Sequence, residues 1–399
     1  MVVIKQSARS LAHSIRFASY NMADQTNHPL VSIIIPAYNQ DRFLSTTIKS
    51  ALKQTYPYLE VILVDDESTD TTPQIGQRFE KEDSRFHYLK QPNQGPAAAR
   101  NTGIAHSKGE FIFLLDGDDL MEPELIQQAL SIFTQNPNVD IVYTAFHIID
   151  EDSRLVGEIH SETYSPQDLL ALLFFRNVIG PGAVMAKRAC LLDCPYNEAM
   201  RHAEDYELLL RLAHRYRFYY IDKPLRSYRR HGQNLSNDLT AHHEATLQVL
   251  NQYSSAHIQE VVERSSFSQE EKELLLGKIL YSSGRLSEAI LCFHKLNQAL
   301  AYFYLGNCYF KQQKWTQAKE AYQTSLKLDN SNPACHNNLG IVVSLLKEND
   351  LARKSFERAL ELKPGYLDAQ LNLENINICQ TVTKFTEREL RSNLIPYKG

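Results

Sequence analysis

The sequence predicts an α/β domain on a mostly parallel sheet, followed by an all-α array of short helical repeats. Three observations carry this prediction. From Leu30 to about Tyr220, short β-branched runs alternate with helical stretches, the pattern of βαβ units. After about Asp238 the chain turns to almost continuous helical periodicity with few glycines. Within that second half, one set of positions recurs at a constant offset of 34 residues.

The first buried strand is Val31-Ser32-Ile33-Ile34-Ile35, closed by Pro36, which cannot donate to a ladder. A helix is expected from about Asp41 to Lys53, then a second strand at Val61-Ile62-Leu63-Val64 and a third at Phe86–Leu89. A helix through Ala97–His106 leads to Phe111-Ile112-Phe113-Leu114-Leu115, a fourth strand that stops at acidic residues before a helix at Met121–Thr134. Those acids lie at a strand's C-terminal end, where open α/β sheets bind ligands. In the second half, Leu305-Gly306, Tyr309, Ala318, Tyr322 and Ser325 return as Leu339-Gly340, Val343, Ala352, Phe356 and Ala359. An upstream unit at Leu276-Gly277, Leu280, Ala289 and Phe293 has the same internal spacing. Small residues at the Gly and Ala positions let paired helices approach, and aromatics fill the gaps between pairs.

The boundaries that follow are a poorly ordered tail over 1–29, an α/β domain over 30–240 and a helical linker over 241–264. Repeats occupy 265–380 (about 270–298, 299–332 and 333–366, with a partial cap at 367–380), and a tail covers 381–399. Lys5, Arg9 and Arg16 among apolar positions also allow a weak amphipathic segment in contact with a membrane, and Met22 is an alternative start.

Composition narrows the function. Of 399 residues, 43% are hydrophobic and 22% charged, as in soluble globular proteins, and a net charge of −5 disfavours nucleic acid as a partner. Cys190, Cys194, Cys292, Cys308, Cys335 and Cys379 show neither CxxC pairs nor a histidine pattern, so a reduced, cytoplasmic chain is expected, peripheral to a membrane at most. No GxGxxG follows the first strand and no Gly-rich lysine loop is present, which disfavours dinucleotide binding and P-loop chemistry.

The sharpest local signal is Asp116-Gly117-Asp118-Asp119, three carboxylates in four positions after a buried strand. A magnesium or manganese ion would relieve their repulsion and leave room for phosphate oxygens; helix-capping aspartates in a solvated turn are the plain alternative. A second acidic turn, Asp65-Asp66-Glu67-Ser68-Thr69-Asp70, follows the second strand. Pro36-Ala37-Tyr38-Asn39 offers an aromatic face and an amide, as a nucleotide pocket needs, and Gly95-Pro96-Ala97-Ala98-Ala99-Arg100 opens a helix that presents a guanidinium.

In order and spacing, VSIIIPAYNQ, VILVDDESTD, NQGPAAARNTGIAHSKGEFIFLLDGDD, AEDYELLLRL and YRRHG resemble the inverting family-2 glycosyltransferases. The resemblance covers roughly residues 30–235 and implies the GT-A fold, a Rossmann-like nucleotide-diphospho-sugar transferase fold. The 34-residue period is likewise that of tetratricopeptide (TPR) repeats.

Carried over by position, the resemblance implies that Pro36, Ala37, Tyr38, Asn39, Asp65, Asp66, Gly95, Arg100, Asp116 and Gly117 bind the nucleotide sugar, with Asp66 and Asp65 near the base. Asp116 and Asp118 match the DxD motif, Asp118 holding a divalent metal (Mn2+ or Mg2+) with Asp116; Asp119 and His231 are further candidate ligands. Glu204-Asp205 matches the ED motif, with Asp205 as the general base toward the acceptor hydroxyl. Tyr228-Arg229-Arg230-His231 resembles a late motif against the diphosphate, Arg230 being its candidate contact, and Val178–Gly182 would lie beside the acceptor.

The implied activity is a single displacement from a nucleotide sugar, a UDP-sugar first, to a glycan or lipid-linked acceptor, with inversion. The repeats are expected to bind a protein partner. A degenerate scaffold and a nucleotidyltransferase are the alternatives, the latter separable because it releases pyrophosphate.

Overall fold

A computed structural model describes residues 28–180, 184–377, 384–388 and 390. The expectations for residues 1–27, Met22 among them, for Pro181, Gly182 and Cys379, and for 381–383, 389 and 391–399 lie outside the described residues. In chain order the elements begin with β1 (Val31–Ala37), α1 (Asp41–Leu52), β2 (Leu59–Asp65), α2 (Thr72–Glu82), β3 (Phe86–Lys90), α3 (Pro96–His106) and β4 (Phe111–Leu114). They continue with β5 (Leu120–Met121), α4 (Leu125–Gln135), β6 (Ile141–Ile149), β7 (Leu155–Ile159), α5 (Pro166–Phe175), β8 (Met185–Lys187), α6 (Arg188–Asp193), α7 (Glu204–Ala213) and β9 (Phe218–Arg229). Helices follow: α8 (Leu239–Leu250), α9 (Ser255–Glu263), α10 (Gln269–Ser282), α11 (Leu286–Phe293), α12 (Ala299–Lys311), α13 (Trp315–Leu328), α14 (Pro333–Leu345), α15 (Asn349–Leu362) and α16 (Leu367–Asn377).

The described chain divides into two compact units. One holds 28–160, 184–201 and 216–229; the other holds 161–180, 202–215, 230–377, 384–388 and 390. The first unit carries every described strand in one sheet of order β3-β2-β1-β4-β8-β6-β9-β5, with β7 on β6. β3, β2, β1 and β4 run parallel, and all residues of β1, β2 and β4 are buried, as expected of strands covered on both faces. β8 is antiparallel to β4 and β6, and β5 is antiparallel to β9, so the sheet is mixed rather than mostly parallel.

Alternation along β1 separates two apolar layers. Ile33 and Ile35 join Leu44 and Ile48 of α1 and Ile126 and Ala129 of α4 in one core. Ile34 faces α3, where a Cβ on Gly103 would stand 2.3 Å from its Cγ2, so only glycine lets that helix lie so close. The chain runs from β1 outward through β2 to β3 and then returns to β4 on the other side of β1. That reversal opens a crevice at the C-terminal ends of β1 and β4, the place where open sheets take ligands.

The second unit is helical. Three helix pairs, α10/α11, α12/α13 and α14/α15, use one internal contact. Cβ atoms on Gly277, Gly306 and Gly340 would come within 2.6, 2.4 and 2.5 Å of the rings of Phe293, Tyr322 and Phe356. Each ring follows its glycine by 16 residues, which is the repeat read from the sequence made physical. Tyr322 is fully buried, so its ring cannot step aside. Gly306→Val is therefore expected to cost about 2–3 kcal/mol by overpacking. Gly232→Val, where an added Cβ meets nothing within 4 Å, is the control, and urea unfolding of both variants checks it. Among the described residues no helix is long and apolar enough to cross a membrane, and the five described cysteines are buried and free of disulfides.

Candidate active site

Two loops beside the crevice are stitched together. Asn39 sits in left-handed backbone (φ 53), a conformation asparagine tolerates, and accepts from the Thr69 amide at 2.8 Å while its own amide donates to Ser68 Oγ at 2.9 Å. The Gln40 amide donates to Thr72 Oγ1 at 3.0 Å, the Asp41 amide to Asp70 Oδ2 at 3.0 Å, and Thr71 Oγ1 to Asp41 Oδ2 at 2.9 Å. Pro36 and Ala37 close β1 in the core, whereas Tyr38 is 49% exposed and presents its ring at the rim.

The two aspartates after β2 have internal duties. Asp65 is fully buried and accepts from the Ser68 amide at 2.8 Å and from the Tyr88 hydroxyl at 2.7 Å. Burial, and then that bond to Asp65, push the Tyr88 phenol up. Asp66 accepts from Gln91 Nε2 at 2.8 Å and from the amides of Gln94 and Gly95 at 3.0 and 2.7 Å. It therefore draws the 91–95 loop onto the end of β2 and sets where α3 begins, Gly95 itself having φ 92.

The acidic turn after β4 is held from two sides. Arg100, buried on α3, donates to Asp116 Oδ1 at 2.7 Å and lies over the Tyr196 ring at 5.2 Å. The Arg229 amide donates to Asp119 Oδ1 at 2.9 Å, and its guanidinium donates to the Asp118 carbonyl at 2.8 Å, the Asp150 carbonyl at 3.1 Å and Ser153 Oγ at 2.8 Å. Asp119 is 3% exposed; burial first, then the charges of Asp118 and Asp116, raise its carboxyl well above the usual range. Thr47 Oγ1 donates to the Gly117 carbonyl at 3.0 Å, and a Cβ on Gly117 would stand 3.1 Å from the Pro36 carbonyl, so glycine lets the β4 turn approach β1. Asp118, half-buried, sits between these anchors.

Among the described residues no group of three or more His, Cys, Asp or Glu is arranged to hold a metal by itself. The donor set still fits a hard cation, because magnesium-type ions commonly take one or two carboxylates and complete their shell with phosphate oxygens and water. Asp118, with Asp116 beside it, supplies that number.

The other singled-out residues belong to the second unit. Asp205 lies in the first turn of α7 with Glu204 and Glu207, three acids that suit a helix N-terminus. Ala203 before them adopts left-handed backbone (φ 56), a strained state for alanine that the surrounding packing must hold. That packing comes from buried Leu208, Leu209, Leu210 and Leu212, and from the Tyr206 hydroxyl, which donates to the Leu173 carbonyl at 2.7 Å. His231 is buried and its Nδ1 accepts from the Gln233 amide at 3.2 Å; Arg230 precedes it, half-buried. Asn177 Oδ1 accepts from the amides of Ile179 and Gly180 at 3.0 and 3.1 Å.

Sequence reasoning picked Arg230 from its arginine pair and missed Arg229. No alternation marks it in the sequence, because Leu225, Arg226 and Ser227 are all buried, and Arg229, 1% exposed, is set by partners far away in the chain.

Residues 32–189 match the family described as Glycosyl transferase family 2, and residues 306–347 and 334–366 match the TPR repeat and Tetratricopeptide repeat families. The chain carries a family-2 glycosyltransferase domain followed by TPR repeats. Over 209 residues it is 33% identical to the chondroitin synthase of Escherichia coli, covering 52% of this chain and 30% of that protein. Against the hyaluronan synthase of Pasteurella multocida it is 31% identical over 209 residues, covering 52% and 21%. The putative glycosyltransferase EpsH of Bacillus subtilis is 31% identical over 213 residues, covering 51% and 61%. The chain thus spans less than a third of the length of the two synthases. Among solved structures, Staphylococcus aureus TarS 1–349 in complex with UDP-GlcNAc is 18% identical with a TM-score of 0.48, covering 88% of this chain and 92% of that one. The mannosyltransferase PcManGT of Pyrobaculum calidifontis in complex with GDP-Man and Mn2+ is 17% identical with a TM-score of 0.45, covering 88% of each chain.

Proposed function

We propose that this protein is an inverting glycosyltransferase that moves a sugar from a nucleotide sugar, a UDP-sugar in the first instance, to a hydroxyl of a growing glycan or lipid-linked acceptor. The observation that carries the reading is the Asp116–Asp119 turn at the β1/β4 crevice, braced by buried Arg100 and Arg229 around Asp118. Such bracing fixes carboxylates in place before a ligand arrives, which is what charge stabilisation in a transition state requires. The relatives named chondroitin synthase and hyaluronan synthase support a polysaccharide acceptor.

In this reading Tyr38 and Asn39 flank the base, Asp65 and Asp66 hold the loops that shape its pocket, and Asp116 with Gly117 faces the ribose and diphosphate. Arg100 keeps Asp116 oriented. A bound Mg2+ or Mn2+ would be held by Asp118 and Asp116 and would neutralise charge on the departing nucleoside diphosphate. Asp205 takes the proton of the acceptor hydroxyl; the oxygen bonds to the anomeric carbon as the bond to the diphosphate breaks, inverting that centre. Residues 30–240 form the catalytic region, and the repeats over 265–380 receive a partner that localises it. Full acceptor activity and unchanged location after removal of residues 265–399 would contradict that last part.

Product analysis tests the reaction class. Incubation with nucleotide sugar, divalent metal and acceptor should release a nucleoside diphosphate in step with glycosylated product; no such release, with pyrophosphate formed instead from a nucleoside triphosphate and a sugar phosphate, would identify a nucleotidyltransferase.

A further inference from the structure

Four asparagines on the first helices of the later repeats, Asn307 on α12, Asn337 and Asn338 on α14 and Asn372 on α16, are all 0% exposed. Buried amides are costly unless their hydrogen bonds are met. Here a large share of those bonds goes to the main chain of a segment that follows α16, Lys384–Glu387. Asn372 accepts from the Lys384 amide at 3.0 Å and donates to its carbonyl at 2.9 Å. Asn338 does the same two residues on, accepting from the Thr386 amide at 3.0 Å and donating to its carbonyl at 2.7 Å. Asn337 donates to the Lys384 carbonyl at 2.9 Å and Asn307 to the Glu387 carbonyl at 3.0 Å.

Asn338 and Asn372 stand 34 residues apart, one repeat period. Equivalent positions of successive repeats therefore grip alternate residues of an extended chain by both amide and carbonyl, as a neighbouring strand would. The asparagines also bond to one another, Asn338 to Asn307 at 3.1 Å and Asn372 to Asn337 at 3.0 Å, which sets their orientation. Side chains add selectivity at the flanks: Phe385 stacks on Phe310 at 4.2 Å between centroids, and Glu387 pairs with Lys311 at 2.8 Å.

We infer that this repeat face is a main-chain-reading peptide groove whose resident occupant is the chain's own Lys384–Glu387, and that it takes an extended peptide of aromatic–polar–acidic pattern when that segment leaves. The inference rests on the reading of the repeats as a partner surface and is independent of sugar transfer. A tethered occupant competes at an effective concentration that a free peptide must exceed, so the groove is closed by default.

The test uses the full-length chain and a fluorescent peptide of the sequence of residues 383–390, read by anisotropy. Phe385→Ala with Thr386→Pro removes the ring contact and the amide that donates to Asn338, and should open the groove while a circular dichroism melt shows the helices still folded. The opened chain should bind the peptide about tenfold to a hundredfold more tightly than wild type. A peptide N-methylated at the Thr386 nitrogen, which keeps every side chain, should lose that binding. No capture by the folded, opened chain would overturn the groove, and equal capture by wild type would overturn its resident occupancy. Undiminished binding of the N-methylated peptide would overturn main-chain reading. A wild-type dimer that the double substitution dissolves would place the segment in a second copy and overturn occupancy in cis. None of these outcomes bears on product release by the transferase region, which tests the catalytic reading separately.

Discussion

Asp118→Ala is expected to lower turnover by about a thousandfold, roughly 4 kcal/mol of lost transition-state stabilisation. The three carboxylates of this single turn carry unequal commitments. Asp116 is tied to Arg100, and Asp119 is buried against the Arg229 amide, so neither can move to substitute for Asp118. The Arg229 guanidinium reaches the main-chain carbonyl of Asp118, and that anchor survives the substitution. The fold should therefore persist while the donor site loses its central carboxylate, and the loss should appear in donor KM as well as kcat. Steady-state kinetics at several metal concentrations, with a thermal melt to show the fold intact, checks this; near-normal activity would remove Asp118 from the metal site.

Asp205→Asn should reduce kcat by about a hundredfold to ten-thousandfold, the range for loss of a general base. Its signature differs from that of Asp118→Ala, because the amide keeps the shape of the first turn of α7 and leaves the donor site untouched. Donor affinity should therefore stay at the wild-type value while transfer to the hydroxyl falls. A variant that lost donor affinity in proportion to kcat would assign Asp205 to nucleotide binding instead.

The elements most legible in the sequence were those whose physics is local. β1, β2 and β4 are buried throughout and rich in β-branched or aromatic residues, and the repeat glycines stand at fixed distances from their aromatics. β8 and β5, three and two residues long, carry no periodicity of their own and exist only because β4 and β9 offer them edges. β9 was obscured by Pro224, which interrupts the ladder where the register to β6 shifts. The acidic turns were legible as clusters of like charge, but which carboxylate braces a loop depends on partners far away in sequence, as with Asp65 and Tyr88 or Asp119 and Arg229. The groove was invisible for the same reason: Lys384–Glu387 reads as polar and aperiodic, and asparagines in a helix give no sign of the main chain they hold.

The most direct test of the account is the stability of the transferase domain with nucleoside diphosphates, with and without manganese, in wild type and Asp118→Ala. One nucleotide at a hundredfold excess over its Kd should add about 2.7 kcal/mol, a rise of roughly 5–10 °C in Tm for a domain of this size. That rise should need the metal and vanish in the variant. Stabilisation by no nucleotide, or an equal rise in Asp118→Ala, would contradict a metal-assisted donor site at the β1/β4 crevice.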